Sequence, residues 1–164
     1  MNGTRRSARP VRIALASPLG GDIDGAWWPH TGSVASELPG LVEALHRPLG
    51  EILDISINWS TTDAAPDLNA MIYGAMALPT WRGKPQRLMQ VTGAHAKAKL
   101  LVVPSLTSAT LGLMVLRRAA HLSIPVGQRD TKVFEVADLV VRSAEVESAS
   151  WAHQKVDGAA TPAP

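Results

Sequence analysis

Five residues constrain this chain more than any others: Leu100-Leu101-Val102-Val103-Pro104. A continuous apolar run of that length reads as a buried central strand. Other segments take their places around it. Val11-Arg12-Ile13-Ala14-Leu15 alternates at first and reads as a short strand, ended by Pro18-Leu19-Gly20-Gly21. Ile52, Leu53, Ile55 and Ile57 predict a strand reaching Asn58-Trp59, and Arg87-Leu88-Met89-Gln90-Val91 alternates as another. A weaker strand is expected around Ala70-Met71-Ile72-Tyr73, between a loop at 60–66 and a second loop through Pro79, Gly83 and Pro85. Thr92-Gly93-Ala94-His95 reads as a hairpin turn, with Gly93 able to take a positive φ.

Two helices complete the pattern. Val34, Leu38, Leu41, Val42 and Leu45 fall on one helical face, with Ser33 as the expected N-cap. Pro39 lies inside that helix and removes a hydrogen bond to the Ala35 carbonyl, so a kink or restart is expected there, and Pro48 and Gly50 close the helix. The second helix starts after Ser105 or Ser108 and runs to about Leu122, with Leu111, Val115, Ala119 and Leu122 inward. Gly112 costs this helix about 1 kcal/mol relative to alanine. The fold class expected is α+β: a small antiparallel sheet of five strands with two helices on one face, in the order β-α-β-β-β-β-α. The expected division is a basic disordered leader at 1–10, a single domain at 11–122, a C-terminal extension at 123–157 and a flexible tail at 158–164. Val133 to Val141 fits either helix or strand, and the extension is a candidate dimerisation helix.

A chain of 164 residues is long enough to bury a core; at this size folding hides roughly two-thirds of the unfolded surface. The absence of cysteine excludes disulfides, zinc–thiolate sites, iron–sulfur clusters and cysteine nucleophiles. Five histidines, His30, His46, His95, His121 and His153, are widely spaced and form no His-x₃-His pair. No metal and no cofactor are expected. The best membrane candidate, Leu100 to Leu116, contains Pro104, Ser105, Thr107, Ser108 and Thr110 and falls short of the roughly twenty apolar residues a span needs. Arg5-Arg6 has the look of a twin-arginine signal, but the apolar run after it is interrupted by Arg12. A cytoplasmic protein is expected.

Charge is unevenly distributed. Eight acids stand against Arg47 in residues 13–79, while nine bases stand against Asp130 in residues 80–132. Such a dipole fits a basic face with an acidic partner; it fits better two halves that interleave and mix their charges. Within the basic half, Trp81 with Arg82, Lys84 and Arg87, and Lys97 and Lys99 beyond, suit a platform that stacks bases and neutralises phosphates. The acidic half would repel the same phosphates unless it faces away.

The remaining feature is Asp24-Gly25-Ala26-Trp27-Trp28-Pro29. Adjacent side chains in an extended segment point opposite ways. One reading therefore buries one indole and exposes the other, beside Asp24 and His30, as a ligand or partner surface. The other reading places both indoles in the core and makes Asp24-Gly25 a turn. Among the loop carboxylates, Asp22, Asp24, Asp63 and Asp67 are candidates for acid–base work or simple solvated groups. No Walker loop, dinucleotide fingerprint or nucleophile elbow is present.

This block, with Glu37-Leu38-Pro39 and Leu100-Leu101-Val102-Val103-Pro104, resembles an actinobacterial family known only as a domain of unknown function. The resemblance covers residues 11 to 122. It departs at His30-Thr31, where the family has an Arg-Ser pair, in the segment from Tyr73 to Pro85, and in the tail after Ser123. It implies architecture and cytoplasmic residence, and brings no catalytic residue. The expected function is that of a non-enzymatic binding or regulatory domain acting through protein–protein contact, with Asp24, Trp27, Trp28 and His30 as its site. The alternatives are a small-ligand binder or enzyme using a pocket at that loop, and nucleic-acid binding through the basic region.

Overall fold

The computed structural model describes residues 10–60, 64–72 and 86–160, with side chains as far as Trp151. Its sheet has five strands: β1 (Ile13–Leu15), β2 (Gly25–Trp27), β3 (Ile52–Ile57), β4 (Arg87–Gly93) and β5 (Lys97–Val102). They lie in the spatial order β1-β2-β5-β4-β3. Among the described residues four α-helices accompany it: α1 (Val34–Leu49), α2 (Asn69–Ile72), α3 (Ala109–Ala119) and α4 (Lys132–Ala160). The α+β class and the five-stranded sheet are as the sequence predicts. The identity of one strand, the pairing and the layering differ.

The fifth strand is not the segment around Ala70-Met71-Ile72. Asn69–Ile72 is a helical turn, started by Asp67, whose Oδ1 accepts the Ala70 N–H at 3.2 Å. Leu68 and Met71, three apart, share one buried face, a helical spacing that a short apolar run disguises. The missing strand is β2, inside the tryptophan block. It pairs antiparallel with β1 and parallel with β5, Trp27 standing opposite Val102. The sheet is therefore mixed, with β5–β4 and β4–β3 antiparallel.

Nor do the helices share one face. Leu100, Val102, Met89 and Val91 pack with Leu41, Leu45 and Leu49 of α1. Leu101, Val103 and Leu88 pack on the other side with α3 and with Val136, Val140 and Ala144 of α4. Both faces of the sheet are covered at the end of β5, and this is why residues 100–103 are continuously apolar. Helix α4 settles the ambiguity of residues 133–141 in favour of helix and extends through Gly158 to Ala160, beyond the point where the flexible tail is expected.

Local signals also read differently in three dimensions. Helix α1 runs through both Pro39 and Pro48 without a break. Ser33 makes no side-chain cap; the carboxylate of Glu37 instead takes the N–H groups of His30 and Thr31 ahead of the helix. At the other end Gly50, with φ of 82°, stops the helix, and the His95 N–H donates to the Leu49 carbonyl at 2.8 Å. The β4–β5 hairpin thus caps α1. Gly93 has no positive φ; a side chain there would collide with the Leu49 carbonyl. Helix α3 ends at Ala119, leaving Leu122 half exposed.

Candidate functional site

The candidate site of the sequence is Asp24, Trp27 and Trp28 of the tryptophan block with His30 just after it, and the structure places them as follows. Asp24 is buried. Its Oδ1 accepts the N–H groups of Gly20 and Gly21 at 2.7 and 3.0 Å, and its Oδ2 accepts that of Lys99 at 2.9 Å. Three donors fix one carboxylate, which ties the β1–β2 loop to β5. Trp27 and Trp28 are 1% and 3% exposed, on opposite faces of the sheet. Of the two readings open for the block, this is the arrangement with both indoles in the core.

Trp28 is held from two sides. The Arg12 guanidinium lies 3.6 Å from the ring centroid, and its Nε and Nη2 donate to the Trp28 and Pro29 carbonyls at 3.1 and 2.9 Å. Gly112 of α3 lies against the ring, where a Cβ would fall 2.5 Å from its atoms. The glycine that weakens α3 as a helix therefore lets α3 approach the indole. His30 is half-buried, and its Nε2 lies 2.8 Å from the Pro10 carbonyl oxygen. Partial burial pushes the Glu37 carboxyl up. The Thr31 hydroxyl, the N–H groups of His30 and Thr31 and the His30 imidazole outweigh it, so the group sits below its ordinary value.

The basic set divides. Trp81, Arg82 and Lys84 lie outside the described residues. Arg87 of β4 has its guanidinium 5.1 Å from the centroid of the Trp59 ring. Of the loop carboxylates, Asp22 is exposed, Asp63 lies outside the described residues, and Asp67 lines a cavity. No group of three or more metal-binding side chains converges among the described residues, and no described helix is long and apolar enough to cross a membrane.

The cavity lined by Asp67 has a position that the sheet defines. Strands β2 and β5 are parallel and end side by side, the Val103 N–H donating to the Trp27 carbonyl at 2.8 Å. After β2 the chain passes to α1 on one face; after β5 it passes to α3 on the other. Adjacent parallel strands that send their chains to opposite faces leave a crevice beyond their carboxyl ends. Here it has a volume of about 450 Å³. Gly32 lines it from the loop after β2, Ser105, Leu106 and Thr107 from the loop after β5, and Asp67 and Asn69 from the segment around α2.

Its polar groups are in different states. Both ends of the Asn69 amide are engaged, Nδ2 donating to the Leu106 carbonyl at 2.9 Å and Oδ1 accepting the Ser108 N–H at 2.8 Å. Thr107 is 6% exposed, and its hydroxyl is buried without a partner. Leu106, beside it, is 88% exposed. Sequence reasoning named Asp67 but missed Thr107 and Asn69, because three separate loops supply the crevice and no spacing in the chain links them.

A family of unknown function (DUF5994) matches residues 12–119 of this chain. No curated protein and no solved structure matches it.

Proposed function

This chain belongs to that family, and from that premise we propose that the domain is a binding module whose crevice at the ends of β2 and β5 takes a small, largely apolar ligand bearing a neutral or cationic polar group. The observation that carries this reading is the Thr107 hydroxyl, buried and unpartnered in the crevice wall. A buried hydroxyl without a hydrogen bond is costly, and a ligand group that reaches it removes that cost. Pro66, Leu68, Pro104 and Leu106 supply apolar wall. Asp67 supplies negative charge, and no basic side chain is among the described residues of the wall, which disfavours anions. The tryptophan block then acts as the frame: Asp24 pins the start of β2, Trp28 anchors α3, and the loop that follows delivers Gly32 to the rim.

The test is a nuclear magnetic resonance titration of the full chain with small amines and alcohols and with carboxylates of matched skeleton. Amines and alcohols are expected to move the amide signals of residues 67–69 and 105–108, and Thr107→Val to abolish the effect. Equal response to the carboxylates, or an unchanged response in Thr107→Val, overturns the reading. Leu106 favours a second one, contact with a partner protein, since an apolar side chain so exposed at a cavity rim suits an interface. Under that reading the small probes fail, and a photo-crosslinking residue at position 106 joins to another protein.

A further inference from the structure

The sheet has two edges, and the chain guards them differently. At one, β1 is three residues long, too short to template a further strand. At the other, β3 is six residues long, and no strand of the described residues lies on its outer side. Its first half is guarded. A bulge between Ile52 and Asp54 breaks the ladder there, and Asp54 adds an exposed charge. Ile55-Ser56-Ile57 has neither device. We infer that this half-strand is a self-association edge, on which a second copy of the chain pairs antiparallel with the two-fold axis at Ser56.

Backbone direction comes first. The Asn58 N–H donates to the Leu88 carbonyl at 3.2 Å, toward β4. Backbone groups alternate in direction along a strand, so Ser56 also faces β4, and Ile55 and Ile57 turn their N–H and C=O groups to the open side. In an antiparallel pair centred on Ser56, each Ile55 meets Ile57 of the other copy and exchanges both hydrogen bonds with it.

The sequence chooses the register. Ile55-Ser56-Ile57 reads the same in both directions, so a copy turned end for end meets its own pattern. That symmetry is what a second copy needs and an unrelated peptide does not. Ile55 and Ile57 stand opposite Val91 and Met89 of β4, which pack with α1. Ile55 is packed against that core, while Ile57 remains 39% exposed. Across the junction each Ile57 gains the other copy's Ile55 as its neighbour, and the apolar layer under α1 continues from one copy to the next. Charge and geometry agree. An axis at Asp54 would set two carboxylates opposite each other. An axis at Ile55 would draw the bulged residue into the ladder. The axis at Ser56 sets each Asp54 opposite Asn58 of the other copy and holds the two carboxylates about 14 Å apart, four residues of strand rise.

So small an interface forms a dimer that grows with concentration. Sedimentation velocity of the full chain over a concentration series is expected to show a monomer–dimer equilibrium. Ile57→Lys, at an exposed position, should abolish it in a protein with an unchanged unfolding midpoint. Val146→Lys, at an exposed position of α4, should leave it intact. The chain has no cysteine, so a single introduced one reports the register. Across the axis the two Cα atoms at position 56 would lie about 4.5 Å apart, within disulfide reach. Ser56→Cys should therefore oxidise to a covalent dimer at least about tenfold faster than Asp54→Cys, although Asp54 is the more exposed of the two. A monomer at every concentration, loss of the dimer in Val146→Lys rather than in Ile57→Lys, or equal crosslinking of Ser56→Cys and Asp54→Cys overturns the inference.

Discussion

The tryptophan block and the loop after β5 stand at neighbouring strands and treat their polar groups in opposite ways. In the block, Asp24 gives its two carboxylate oxygens to three backbone donors, and Arg12 both stacks on Trp28 and holds two carbonyls. In the loop, Thr107 keeps a buried hydroxyl without a partner beside an open crevice. The first arrangement is that of a frame, and the second is the one on which the proposed binding crevice rests. The contrast teaches that unusual residues and unpaired polar groups need not coincide: the rare Trp-Trp pair marks where the chain is held, and the unpaired hydroxyl belongs to an ordinary threonine.

The harshest trial of this contrast is Trp28→Ala. An exposed indole would be removable with the fold intact. The buried one should cost about 3–5 kcal/mol in denaturant unfolding, as large-to-small core changes do. Asp24→Ala strands three backbone donors and should cost about 3 kcal/mol or more. A folded Trp28→Ala protein of unchanged stability would break the frame half of the comparison. Gly112→Ala comes next. It gains about 1 kcal/mol of helix propensity but drives a methyl into the Trp28 ring, and overpacking costs about 1–3 kcal/mol. A net loss in melting temperature is expected, and a gain would show that α3 is free to move away.

Thr107→Val tests the crevice half, with the opposite sign. Deleting an unpartnered buried hydroxyl should leave stability unchanged or raise it by up to about 1 kcal/mol, a pattern found where stability and function oppose each other. A clear loss would mean that the hydroxyl is holding the loop. The smallest effect belongs to Glu37. Its folded value lies below the ordinary 4.5, so its contribution is complete above 4.5 and is lost as pH falls through the lower folded value. Largely solvated, it is worth under about 1 kcal/mol. Acid unfolding of Glu37→Gln should differ from the parent at neutral pH and converge with it in acid.

Much of the scaffold was legible in the chain. The periods of Arg87–Val91 and of Leu41, Leu45 and Leu49 report β4 and α1 directly. Strand β2 was hidden because three residues, one of them glycine, show no period and sit between Gly20-Gly21 and Pro29. Leu100 to Val103 already implied cover on both faces, but a succession of strands joined by a hairpin argued more loudly for an antiparallel sheet with one covered face. The site was less legible for a different reason. Asp24 and Trp28 stood out as residue types, yet only their neighbours decide that they are frame. The state of the Thr107 hydroxyl depends on how three loops meet around it, which no local pattern in the chain encodes.

Helix α4 lies beyond the matched family span and still supplies Val136, Ala137, Val140, Val141 and Ala144 to the core around Trp28. On the ribosome it emerges after everything it covers. Until it does, Leu101, Val103 and the α3 flank present an uncovered apolar surface, the kind of exposure that nascent chains conceal with chaperones or lose to aggregation. A stall or cleavage before residue 132 would therefore release a protein carrying every strand of the sheet and lacking the cover for one side of it.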